Sequence, residues 1–121
     1  MQYASLQNLS RPGARPLSVH YCASFLCRLR GLTFRRLPPD GGLLLVESRD
    51  SRLDSSIHML FVFFDLAVVW INSAGEVVDV KCARRWRPAY LPERPARYVL
   101  ELAVERLDDF KVGDLVRIEP A

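Results

Sequence analysis

One stretch, residues 57–81 (IHMLFVFFDLAVVWINSAGEVVDVK), limits what this chain can fold into more than any other. It is the longest apolar run, it is rich in strand-forming side chains, and it carries the clearest turn. Residues 57–64 are apolar at almost every position, the signature of a strand buried on both faces, with Phe61 in its middle. Residues 66–71 continue in the same style. Asn72-Ser73-Ala74-Gly75 then reverses the chain, with Gly75 suited to the positive φ such a turn needs. Residues 76–81 return in alternation, placing Val77, Asp79 and Lys81 on one face and Val78 and Val80 on the other. Asp65 interrupts the run, so it falls short of the roughly 18 apolar residues of a membrane helix.

The remaining segments fit around this hairpin. Residues 3–9 read as a short edge strand, residues 11–16 (RPGARP) as a loop, and residues 17–21 as a half-buried strand with Leu17, Val19 and Tyr21 on one side. The period then changes. Phe25, Leu29 and Leu32 fall at i, i+4 and i+7, which predicts a short α-helix of two turns with Ser24 as N-cap and Gly31 as its stop. Too short to persist alone, it must dock on a sheet, and the strand at 57–64 offers an apolar face. Residues 42–47 form a buried strand, 48–55 a polar loop, and 97–102 a strand with Tyr98, Leu100 and Leu102 on one face. Residues 104–110 suit one or two helical turns, Gly113-Asp114 turns the chain, and 115–119 close it as a strand. Pro88, Pro92 and Pro95 make residues 82–96 a long ordered loop, a length uncommon in loops without a task. The fold class expected is mainly β: one domain over residues 1–121, an antiparallel β-sandwich or flattened barrel plus one short α-helix.

Half of the residues are hydrophobic, which argues against disorder, and the net charge of +3 is too small by itself to mark a nucleic-acid binder. Arginine supplies 15 of the 17 basic residues. A GC-rich codon usage explains that bias as simply as function does, yet guanidinium forks pair with carboxylates and phosphates and stack on rings as ammonium groups do not. Cys22, Cys27 and Cys82 are odd in number and lack paired spacing, so three free thiols in a reducing compartment are expected. The opening residues lack the basic-then-apolar order of a signal peptide. A cytoplasmic location and no membrane association follow as expectations.

The most unusual segment is Arg84-Arg85-Trp86-Arg87-Pro88-Ala89-Tyr90, where three guanidiniums interleave with two rings on a proline-stiffened loop. Such a mix forks onto anions and stacks on flat groups. The plainer alternative is a lid, with Trp86 and Tyr90 capping one end of the sandwich and the arginines paired to Asp50, Asp54 or Glu93. Arg30 and Arg35 are candidates to converge on the same end. The reading adopted is a non-enzymatic binding or interaction module whose loop meets an anionic group on an acidic protein surface or a small ligand. The alternative is a small hydrolase or isomerase using His58 with Asp54, although His58 among apolar neighbours reads first as a satisfied core histidine. Weak nucleic-acid binding is a third reading; it needs the arginines on one continuous face. Neither the histidines nor the cysteines have metal-ligand spacing, so no metal and no cofactor are expected.

The order of elements resembles the DUF192 family, small bacterial and archaeal proteins of unknown function. The resemblance rests on Arg30-Gly31-Leu32-Thr33-Phe34-Arg35, residues 42–46 (GLLLV), Ile57-His58-Met59, and Val68-Val69-Trp70-Ile71 followed by Gly75. Arg84 to Pro88 with Tyr90, residues 96–102 (ARYVLEL) and Val112-Gly113-Asp114 complete it, in order, over roughly residues 17–119. The resemblance implies a mostly antiparallel sandwich of jelly-roll character with one short helix, and no established enzyme activity. Three departures stand out. Asp65 replaces a usual Pro, Ala67 replaces a usual Asp, and Ala103-Val104-Glu105 stands where a Pro-Ala-Gly turn is common.

Overall fold

A computed structural model of the chain describes residues 2–24, 41–59 and 62–120. The chain forms seven strands: β1 (Gln2–Asn8), β2 (Leu17–Cys22), β3 (Gly42–Ser51), β4 (Leu66–Ile71), β5 (Val77–Ala83), β6 (Ala96–Ala103) and β7 (Val116–Pro120). A 3-10 helix, Val104–Asp109, separates the last two. The strands make one continuous sheet in the order β5-β4-β6-β3-β2-β1-β7. β2 and β3 run parallel; every other strand pair is antiparallel. The mainly β expectation is met, as one curled mixed sheet.

Alternation explains the curl. One apolar cluster takes residues from all seven strands, among them Leu6, Val19, Leu44, Val69, Val77, Leu100 and Val116. A face to which every strand contributes is the concave one, so the sheet wraps round it as a half-barrel. The strands at the two ends of the order meet at a corner. Val77 N–H donates to the Asp114 carbonyl at 2.8 Å, Gly113 N–H to the Val77 carbonyl at 2.9 Å and Val116 N–H to the Gly75 carbonyl at 2.8 Å. The opposite cluster lies on the outer face, where Leu45, Val68, Trp70 and Val99 are covered by Ile57, Met59 and Val62, with Phe64 and Tyr90 partly buried beside them. β4 is therefore buried on both faces along its whole length. Trp70 at its centre is wholly buried, and its indole N–H donates to the Ser55 carbonyl at 2.8 Å.

Several expectations change. Residues 57–59 contribute only the isolated bridge Ile57–Tyr90, so the both-faces-buried strand is β4, and Ile57, Met59, Val62 and Phe64 serve as cover. An unbroken apolar run reports burial, which a covering segment also has. β1 is no edge, since β2 and β7 flank it. The 72–75 turn forms, with Asn72 Oδ1 accepting N–H groups from Ala74 and Glu76 and Gly75 at φ 86°. A bulge opposite Trp70 and Ile71 breaks the expected alternation of β5, so Val77 joins the inner core and Asp79 and Lys81 the outer face. The predicted helix around residues 25–32 lies outside the described residues, as do Phe61, Arg30 and Arg35. Cys22 is disulfide-bonded, and Cys82 is a free, exposed thiol. The expectation of three free thiols is thus corrected, because an odd count excludes complete pairing but not one bridge. With it goes the argument from free thiols for a reducing compartment. No described helix is long and apolar enough to cross a membrane.

Candidate functional site

The loop leaving β5 is built by backbone pairing with the covering segment. Ile57 and Tyr90 exchange N–H to carbonyl bonds at 3.0 and 2.8 Å. Met59 N–H donates to the Arg87 carbonyl at 2.8 Å, and Trp86 N–H to the Met59 carbonyl at 2.7 Å. Side chains finish the arch: Arg84 N–H donates to the Tyr90 hydroxyl at 2.8 Å and Arg85 N–H to Asp65 Oδ1 at 3.0 Å. The second half is pinned as well, by Arg52 Nε on the Pro92 carbonyl and Lys81 Nζ on the Leu91 carbonyl. So many fixed points turn a loop with three prolines into a rigid part.

At the crest of the arch, Trp86 has φ 68°. A bulky residue in the left-handed region costs about 1–2 kcal/mol, and such strain persists only where surrounding bonds over-determine it. Here the bonds to residue 59 do so. The indole is 46% exposed and meets exposed Phe63 edge-on, with ring centroids 5.4 Å apart. Arg84, Arg85 and Arg87 are exposed. Among the described residues none of the three guanidiniums is ion-paired. The carboxylates named above as partners are engaged elsewhere: Asp50 with Ser73, Asp54 with Arg49 at 3.5 Å and Glu93 with Lys81 at 4.0 Å. The lid arrangement, with a buried Trp86 and paired arginines, is not the one observed. Tyr90 alone packs as a capping ring would, half-buried against the outer core, with its hydroxyl accepting Arg84 N–H within the arch.

His58 is exposed, not a core histidine. Ile57 and Met59 point inward, and the period of two along extended chain sends the residue between them to solvent. Among the described residues no hydrogen bond joins His58 to Asp54, whose carboxylate takes Arg49 instead. His20 lies two strands from Glu101 across the sheet, with its ring centroid 5.6 Å from that of Tyr3.

Sequence reasoning missed two features. Glu101, in the middle of β6, is only 4% exposed and stands between Leu43 and Val68 on the neighbouring strands. Among the described residues nothing hydrogen-bonds or pairs with its carboxyl, and burial raises its pKa from 4.5 to about 7. Its place in RYVLEL assigns it a face, but only the fold shows that this face is covered. The second feature is a cavity beside the 3-10 helix, bordered by Arg11, Arg15 and Arg106.

Comparison with known proteins places this geometry in context. The model of DUF192, described as Uncharacterized ACR, matches residues 8–118. A UPF0127 protein of Thermococcus gammatolerans is 40% identical over 100 residues, covering 81% of this chain and 64% of its own length. A UPF0127 protein of Pyrococcus furiosus is 36% identical over 85 residues, covering 70% of this chain and 71% of its own. The chain thus spans somewhat under two thirds of the first of these relatives. In fold, it is similar to a Sinorhizobium meliloti protein described as a candidate transcription regulator, with a TM-score of 0.79 at 24% identity over 96% of this chain and 92% of that one. A protein of unknown function from Novosphingobium aromaticivorans gives 0.78 at 18% identity over 95% and 83%. At these identities the two structures speak for the fold alone.

Proposed function

We propose, on the premise that the chain belongs to the DUF192 family of uncharacterized proteins, that it is a non-enzymatic binding module whose 84–87 arch docks on an acidic protein surface. The observation that carries this reading is the pairing of a rigid backbone with exposed guanidiniums that have no ion pair among the described residues. The backbone of the arch is fixed at both ends, while its three guanidiniums and the Trp86 edge face solvent. A preformed surface loses little entropy on binding, and Trp and Arg are the residues that most often anchor interfaces. Phe63 and Trp86 form an exposed aromatic step beside the exposed cations. Side chains this open to solvent suit a carboxylate cluster on another protein better than a small ion, which needs enclosure.

The test is an Arg85→Ala, Arg87→Ala double variant, with immobilised heparin as the polyanion probe. Exposed, unpaired arginines contribute within about 0.5 kcal/mol to stability, so the variant should melt within about 3 °C of the parent. Retention on heparin should fall, and parent retention should weaken as added salt shortens the Debye length from about 10 Å at 0.1 M to about 3 Å at 1 M. Unchanged retention would overturn the proposal; so would a fall in melting temperature without a fall in retention.

A further inference from the structure

A cavity of about 290 Å³ opens between the β1–β2 turn and the 3-10 helix, far in sequence from the arch. Its floor is apolar, formed by buried Leu6 and Phe110 with half-buried Leu17. Its rim is cationic, with Arg11, Arg15 and Arg106 against the single carboxylate of Asp109. The walls are held before any ligand arrives. Asn8, 5% exposed, donates to the Asp109 carbonyl at 3.1 Å and to Asp114 Oδ2 at 2.8 Å, and its Oδ1 accepts Ser10 N–H. Gln7 Nε2 holds the Ala14 carbonyl at 3.2 Å, and Gly13 at φ 78° closes the turn.

The guanidiniums differ in what remains free. Arg106 Nε bonds Asp109 Oδ2 at 3.1 Å, and Arg11 donates to the Asp108 carbonyl; each spends one of five N–H donors. Arg15 is exposed, and among the described residues no hydrogen bond or ion pair engages its guanidinium. We infer that this cavity is a binding site for a small organic carboxylate with a compact apolar body, its carboxylate held on the Arg15 fork and its body on the Leu6, Leu17 and Phe110 floor. Planar carboxylates match the guanidinium fork in a bidentate pair. Inorganic phosphate satisfies the rim but leaves the floor unfilled. The volume is at the small end of the range for ligand pockets, about 300–1,000 Å³, which limits the body to something near one ring.

The experiment follows amide resonances of the 121-residue chain during titration with benzoate, benzamide and inorganic phosphate. Benzoate should give saturable shifts at Gly13, Ala14, Leu17 and Phe110. Benzamide, the same ring without charge, should bind about tenfold more weakly or worse, and Arg15→Gln should weaken benzoate by a similar factor, the expectation for one lost charge-assisted bond. The Arg85→Ala, Arg87→Ala variant should bind benzoate as the parent does, which separates this site from the arch. Absent or unsaturable benzoate shifts would overturn the assignment, as would equal binding of benzamide or no effect of Arg15→Gln. Phosphate binding as tight as benzoate at the same amides would overturn the apolar half of it.

Discussion

At the scale of single residues, Glu101 should carry the sharpest pH dependence among the described residues. Its carboxyl is buried between Leu43 and Val68, and the desolvation of its charged form raises the pKa from 4.5 to about 7. The native state therefore holds a proton that the unfolded chain releases between those two values. Stability from this group is fully present below pH 4.5 and is lost as pH rises through about 7. The shift corresponds to about 3 kcal/mol, a large share of the usual 5–15 kcal/mol. Glu101→Gln keeps the shape without the charge, so it should be more stable than the parent at pH 8 and nearly equal to it at pH 4.5. Denaturant midpoints of both proteins at the two values check this; parallel midpoints would mean the carboxyl ionises without strain. Trp86 makes a different point. Its composition-rich neighbourhood was legible in the chain, but its left-handed backbone was not, because strain of that kind is imposed by the hydrogen bonds to residue 59.

Among the elements, the β4–β5 hairpin was the most legible. Six consecutive apolar residues in β4 and the Asn72–Gly75 turn are local signals, and both are realised. Residues 57–64 send the same apolar signal, and the described ones, 57–59 and 62–64, do something else. Nothing local distinguishes a strand buried in a sheet from a segment laid across it; that choice depends on whether neighbouring backbone is free to pair, and here β6 and β5 already occupy both sides of β4. The arginine-rimmed cavity was illegible for the same reason at longer range, since Arg11 and Arg106 come from opposite ends of the chain. Gly75 shows how an element signal hides a second role. Its positive φ serves the turn, yet an added Cβ would also sit 2.7 Å from the Val116 carbonyl oxygen, a backbone atom that no rotamer change can move. Gly75→Ala should therefore cost more than the about 1–2 kcal/mol of left-handed strain alone. A stability loss from urea unfolding smaller than that amount would show that the corner between the sheet ends yields easily.

For the molecule as a whole, burial makes β4 and most of β6 deep, and the sheet order leaves closure to one corner. β6 is paired on both sides along most of its length, whereas the corner rests on a few bonds around Val77, Gly113 and Val116. Amides of Val69 and Leu100 should exchange with solvent only through global unfolding, while those of Gly113 and Val116 open locally at lower free energy. Hydrogen exchange should find the second pair at least about 100-fold faster; equal protection would mean that the corner unfolds only with the rest. The pairing of β1 with β7 has a consequence in time as well as in space. Asn8 meets Val116, a partner made about 100 residues later. At roughly 5–20 residues per second, a ribosome leaves β1 waiting on the order of 5–20 s for the strand that completes it. Throughout that interval one row of its N–H and C=O groups is open to any other strand. A chain still being made is thus open to mispairing along β1 until β7 has emerged, and crowded polysomes are where that exposure counts.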